Sequence, residues 1–298
     1  MAEGSFKYLD FDVLAHIDDM KLLAKTVVEG FLLGLHRSPF CGFSVEFAEY
    51  RQYVPGDEIR YVDWKLYGKT DRLYVKQFEE ETNLRCYILL DCSASMGYGS
   101  GKLNKLQYGS YLAAALAYLM MSQRDAAGLV LFDSKIREYY PPRSRQTHLH
   151  LMLSALEKVK AEGRTEMSCP LHELAQGLNM RGLVVLISDL FDEPEHVLDG
   201  LQHFHFLGND LIVFHLFDPS ELSLPFNDLT EFIDPESGER VITAPQAVRQ
   251  RYQAEVAAFQ QKCEKGCADL KADYQLINTA TPLELALSQY LFHRSRRS

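Results

Sequence analysis

The amino-acid sequence predicts an α/β protein: a parallel-dominated sheet with helices on both faces, preceded by a smaller β-rich domain. Three observations carry this. From about residue 85 onward, apolar runs alternate with longer helical stretches, the order that builds a mostly parallel sheet. Two of the runs, Cys86 to Leu90 and Leu183 to Ser188, are almost wholly apolar, as strands covered on both faces are. Before that point aromatic and charged residues alternate in short pieces, so the chain divides into residues 1–84 and 85–298.

The first part opens with a predicted helix over 21–35. Strands follow at 43–53 and 59–62, separated by Pro55-Gly56-Asp57, where Pro and Gly occupy the central turn positions. Residues 72–79 read as a strand with both faces partly covered. In the second part, strands are predicted at 86–90, 126–132, 136–140, 183–188, 211–216 and 274–278. The 136–140 strand pairs with its predecessor across Asp133-Ser134. Helices are predicted at 103–122, 148–160, 170–179, 195–205, 248–265 and 282–293. Leu149, Met152, Leu153 and Leu156 form one stripe of the second helix, and Pro170 suits the first turn of the third. A hairpin is predicted over 231–242 around Pro235-Glu236-Ser237-Gly238.

Composition narrows the function classes. The chain has 298 residues, of which 47% are hydrophobic and 24% charged, enough for a substantial core. A formal net charge of −10 argues against a sequence-independent nucleic-acid binder, which must neutralise phosphates. The basic end, His293 to Ser298, reads as a solvated terminus. The apolar run from Tyr111 to Met121 is too short for a bilayer, and Met1 to Ser5 has no secretory pattern, so no transmembrane segment and a cytoplasmic location are expected. Six cysteines without a Cys-x-x-Cys pair suggest reduced thiols, and Cys263 with Cys267 lacks a second pair for zinc.

The chemistry concentrates at two strand ends. In Asp91-Cys92-Ser93-Ala94-Ser95, polar residues at i, i+2 and i+4 leave a buried strand together. Ser188-Asp189 ends the second central strand. Gly163-Arg164-Thr165 precedes the helix leading into that strand and can add a hydroxyl. Carboxylates and hydroxyls at the carboxyl ends of strands make a hard-oxygen site suited to magnesium or manganese.

Asp-x-Ser-x-Ser, then Gly-x-Thr, then an Asp closing a later strand resembles the metal-ion-dependent adhesion site of von Willebrand factor A-like domains, a Rossmann-like fold. The resemblance implies that Asp91, Ser93, Ser95, Thr165 and Asp189 bind Mg2+ or Mn2+, the hydroxyls directly and the aspartates directly or through water. It also implies that a partner carboxylate often completes the shell. Ahead of it, Glu46 to Arg60, Val62-Asp63-Trp64-Lys65 and Leu73 to Glu79 are similar to bacterial domain-of-unknown-function family 58, whose genes commonly sit beside MoxR-type AAA+ ATPases. That resemblance implies a metal-dependent protein-binding adaptor or co-chaperone, not an enzyme, acting with such an ATPase and a protein client in assembly or maturation of complexes.

Competing readings are weaker. Gly97 to Lys102 has three residues between the first Gly and the Gly-Lys, one short of a Walker loop, and is expected to be a flexible rim. His148 with His150 and His203 with His205 are two apart, which does not share a helix face. Asp192 reads as a cap or a solvated residue. Asp57, Arg60, Asp63 and Arg72 read as an ion-pair network fixing the first domain. A serine nucleophile lacks Gly-x-Ser-x-Gly. A magnesium-dependent hydrolase on the same site is the class rival, but the second carboxylate of a phosphohydrolase pair is replaced by Ser93.

Overall fold

The structure, a computed structural model, describes residues 46–52, 62, 64–70, 72–79, 84–177 and 181–287. The helix expected over 21–35, the Pro55-Gly56-Asp57 turn and Asp57, Arg60 and Asp63 of the ion-pair network lie outside them. In the first part, β1 (Glu46–Gln52) pairs antiparallel with β2 (Tyr74–Glu79). A helix that the sequence reading did not foresee, α1 (Trp64–Thr70), lies between them in the chain. The aromatic Trp64-Lys-Leu-Tyr67 stretch carries no strand alternation, and its two rings meet edge to face at i, i+3.

The second part alternates as expected. Its order is β3 (Arg85–Asp91), α2 (Lys105–Ser122), β4 (Ala126–Phe132), β5 (Ile136–Arg143), α3 (Gln146–Lys158), α4 (Ser168–Gly177), β6 (Leu183–Ser188), α5 (Pro194–Phe206) and β7 (Asp210–Phe217). Then come α6 (Pro219–Ser223), β8 (Thr230–Ile233), β9 (Arg240–Thr243), α7 (Pro245–Asp269) and β10 (Asp273–Asn278), with residues 283–287 helical at the end. The main sheet runs β10-β7-β6-β3-β4-β5, parallel except for the edge strand β5. Pro141 and Pro142 fall in β5, where their missing N–H groups cost least. The hairpin β8–β9 is a separate two-stranded sheet.

Strand periodicity splits the core in two. Cys86, Ile88 and Leu90 point to one face, where Leu112 of α2 and Met152 of α3 cover them. Tyr87 and Leu89 point to the other, with Leu171 of α4, Val197 of α5 and Cys263 of α7. Helix α2 lies close on the sheet because residue 109 is glycine: a Cβ there would stand 2.9 Å from Leu90 Cδ1 and 3.2 Å from Ile187 Cγ2. From β3 the chain moves to β4 on one side, and from β6 to β7 on the other. The crevice between β3 and β6 is therefore the switch point of the sheet, the place where open α/β sheets bind ligands. No helix among the described residues is long and apolar enough to cross a membrane.

Candidate functional site

Asp91 closes β3 and Asp189 follows β6, so the two carboxylates meet over the switch point, both fully buried. After Asp91 the chain turns sharply into a single 3-10 turn, Ala94–Gly97. The Ser93 backbone N–H donates to Asp91 Oδ1 at 2.9 Å, Ser188 Oγ donates to Asp91 Oδ2 at 2.6 Å, and the Ser93 and Ser95 hydroxyls lie 3.0 Å apart. Four of the five expected oxygen donors thus share one buried cluster. The burial, and then the charge of Asp189, push the Asp91 carboxyl up to about 7.

Thr165 lies on a loop stitched to the first. Ala94 N–H donates to Gly163 O at 3.1 Å and Glu162 N–H to Cys92 O at 3.0 Å. Gly163 has φ +81°, and a Cβ there would collide with Asp133 Oδ2, so only glycine suits the turn. Arg137 holds the same loop from outside. Its Nε donates to Asp133 Oδ2 at 2.9 Å, its Nη1 to Lys160 O at 3.0 Å, and its Nη2 to Glu162 O. Arg137 is a positioning residue that the sequence reading missed, because its targets are backbone carbonyls on another element. The Thr165 hydroxyl donates to Glu236 Oε1 at 2.5 Å, and its N–H donates to Glu236 Oε2 at 2.9 Å.

Lys105, also missed, is the main electrostatic addition. It is fully buried, and its Nζ donates to Asp189 Oδ2 at 2.7 Å and to Glu221 Oε1 at 2.6 Å. Burial alone would depress it, but Asp189 and Glu221 outweigh that and raise it, so the ammonium stays charged. A signal existed: Lys105 stands four residues before Gly109 on the stripe that α2 buries, where a charge needs a partner. His215 of β7 contacts the Asp189 backbone O through Nε2 at 2.8 Å and Tyr274 Oη through Nδ1 at 2.6 Å. Burial drops it to about 4, so it is neutral and structural.

The donor set fits a hard divalent cation. Asp189 and Glu221 share one ammonium while Asp91 stands beside Asp189, and each hydroxyl keeps lone pairs after donating its proton. Among the described residues no group of three or more His, Cys, Asp or Glu is arranged to hold a metal, so the fit depends on the serine and threonine hydroxyls. The cluster opens at Ser95 into a cavity of about 440 Å³, lined also by Phe191, Glu221, Phe232, Glu236 and Tyr252.

Other expectations resolve simply. The Gly97–Lys102 segment is tied down rather than loose: Ser100 donates its N–H and hydroxyl to Asp218, and Tyr98 Oη lies 2.7 Å from Ser220 Oγ. Asp192 accepts from Met167 N–H at 2.9 Å, linking the β6 loop to the approach of α4. His148 is buried beside the Tyr140 ring. His203 meets His172, with their Nδ1 atoms 3.0 Å apart, rather than His205. Arg72 is exposed.

A family model described as "Protein of unknown function DUF58" matches residues 49–262. The Mycobacterium tuberculosis "Uncharacterized protein Rv1480" is 26% identical over 232 residues, covering 77% of this chain and 73% of that protein. The Mycobacterium bovis "Uncharacterized protein Mb1516" matches to the same extent. Among solved structures, BatB from Bacteroides thetaiotaomicron is similar with a TM-score of 0.47 at 15% identity, covering 72% of this chain and all of that one. The SpRpn10 VWA domain has a TM-score of 0.42 at 11% identity, covering 69% of this chain and 94% of that one.

Proposed function

This chain belongs to the DUF58 family, and on that premise we propose that it is a protein-binding adaptor whose docking face is a divalent-cation site at the carboxyl ends of β3 and β6. The observation that supports this reading is the buried oxygen cluster of Asp91, Ser93, Ser95 and Asp189, which has more carboxylates around it than counter-charges. These residues with Thr165 would hold a magnesium or manganese ion. When bound, the ion supplies positive charge and open coordination positions beside the cavity at Ser95. The chain's own part is to bury the oxygens, orient them through Ser188 and Arg137, and leave one side open. Two carboxylates from one chain leave room for a third from a partner, so an acidic side chain is the complementary group.

The partner in this reading is a MoxR-type AAA+ ATPase, with a protein client, in the cytoplasm. Its support is the family resemblance of the block from Glu46 to Glu79. Isothermal titration with Mn2+ is the first test: Asp91→Ala should abolish binding and Ser93→Ala weaken it. Recovery of the ATPase in Mg2+, in EDTA and with Asp91→Ala is the second, and equal recovery in all three would remove the cation face from docking. The reading includes no catalysis. Ser93 stands where a phosphohydrolase would need its acid/base carboxylate, and His215 is occupied at both ring nitrogens. Turnover of phosphate esters or peptides by the wild type, lost in Asp91→Ala, would replace the adaptor with a hydrolase.

A further inference from the structure

We infer that Glu236, at the tip of the β8–β9 hairpin, is an internal ligand of the cation site: its carboxylate joins the shell of the bound ion and closes the hairpin over the cluster. The inference rests on the cation reading above and adds a residue from a distant part of the chain.

Three features of the hairpin point this way. First, Glu236 meets Thr165 with both carboxylate oxygens, one on the hydroxyl and one on the backbone N–H. A threonine hydroxyl that gives its proton to a carboxylate keeps lone pairs for an ion, so one cation can lie against both groups. Second, the tip is shaped to present that side chain. Asp234 Oδ1 accepts from Glu236 N–H at 2.9 Å, the Ser237 hydroxyl donates to Asp234 Oδ2, and Gly238 N–H donates to Asp234 O at 2.9 Å. Gly238, at φ +73°, completes the turn. Third, Glu236 and Ser95 line the same cavity, so the hairpin forms a wall of the space into which the cluster opens.

Among the described residues the hairpin has few other ties: at its tip, the Arg164 charge acts on Asp234. The hairpin pairs with no strand of the main sheet, and each of its strands has four residues. An isolated two-stranded hairpin is marginal in water. Its base is fixed by Arg249, which donates to Leu224 O at 2.9 Å and Phe226 O at 2.8 Å, and by the Phe232 ring, 5.8 Å from that of Phe226. Ile233, Val241 and Ile242 remain exposed. Among the described residues the hydrogen-bonded seat of the tip is the Glu236–Thr165 contact, and an ion shared by these two residues makes that seat firmer. An incoming acidic residue then replaces Glu236 rather than water.

The test uses Mn2+ as the probe on the full chain. Titration calorimetry would compare wild type, Glu236→Gln, Glu239→Gln and Asp91→Ala. Glu236→Gln keeps the shape but removes the charged ligand and one of the two acceptors that meet Thr165. Glu239→Gln removes the same charge from an exposed position on the same hairpin. Second-sphere groups already contribute about 10–100-fold to metal affinity, so Glu236→Gln should weaken Mn2+ at least about tenfold, and Glu239→Gln by less than about twofold. Amide hydrogen exchange over residues 230–243 should slow on adding Mn2+ in wild type and Glu239→Gln, and stay unchanged in Glu236→Gln. Normal Mn2+ affinity in Glu236→Gln, with exchange of the hairpin unmoved by Mn2+ in wild type, would overturn the inference while leaving the cation site standing. Normal Mn2+ binding by Asp91→Ala would instead overturn the site itself.

Discussion

Replacing Lys105 with methionine tests the electrostatics of the site most directly. Methionine matches the length of the lysine stem and removes the ammonium that contacts Asp189 and Glu221 at 2.7 and 2.6 Å. The Lys105 Nζ also lies over the Phe191 ring, 4.5 Å from its centre, so methionine gives up that cation–π contact as well. Breaking a buried ion pair by deleting one partner costs about 3–5 kcal/mol, because the remaining charge is stranded. For a domain of this size, 1 kcal/mol moves Tm by about 2–4 °C, so the variant should melt roughly 6–20 °C lower in EDTA. Mn2+ should reverse most of that loss. An ammonium in contact with Asp189 would repel a divalent ion held by the same carboxylate, so its removal favours the ion. Recovering even about 1.4 kcal/mol of that repulsion tightens binding about tenfold. Thermal denaturation by circular dichroism and calorimetric titration read the two effects. A variant that melts within about 3 °C of wild type in EDTA would refute the claim that Lys105 is the counter-charge of the cluster.

Three further outcomes are expected. Gly109→Ala should lose about 1–2 kcal/mol in urea unfolding, since the clash with Leu90 and Ile187 exceeds the gain of about 1 kcal/mol in helix propensity; a stabilised variant would contradict the close α2–sheet packing. Asp218 is held below the ordinary carboxylate range: burial opposes this, but hydrogen bonds from Ser100 and Ser220 prevail. Its stabilisation is present above the unfolded pKa of about 3.9 and is lost as pH falls through the lower folded value, so the melting difference between wild type and Asp218→Asn should shrink below about pH 4. Among the described cysteines, Cys169 alone is exposed, whereas burial pushes Cys263 up to about 11 and Cys267 up to about 12; in native-state thiol titration Cys169 should react fast and the buried thiols only on unfolding.

The fold was largely legible because its signals are local. The strands at 126–132 and 183–188 fall where the apolar runs place them, and β5 pairs antiparallel with β4 as the short Asp133-Ser134 turn requires. Pro170 sits in the first turn of α4. The misses are also local in cause. Helix α6 has five residues, too few for a periodic pattern, although Asp218 with Glu221 forms a capping box and Pro219 follows the cap. Helix α1 is seven residues of mixed character between two strands.

The candidate site divides the same way. Asp91, Ser93 and Ser95 lie within five residues of one strand end, so their spacing alone brings them together. Asp189 follows the other central strand, and adjacency of two parallel strands in a switch-point sheet brings it to Asp91. What the sequence determined by itself was therefore the sheet, its helices and the oxygen donors at the strand ends, because periodicity and strand termination are properties of short segments. Only the tertiary structure decided which charges meet them. Lys105 reaches Asp189 across 84 residues, Glu221 reaches Lys105 across 116, and Glu236 reaches Thr165 across 71. Such contacts depend on where helices and hairpins pack, and side-chain electrostatics has no period that a linear reading can follow.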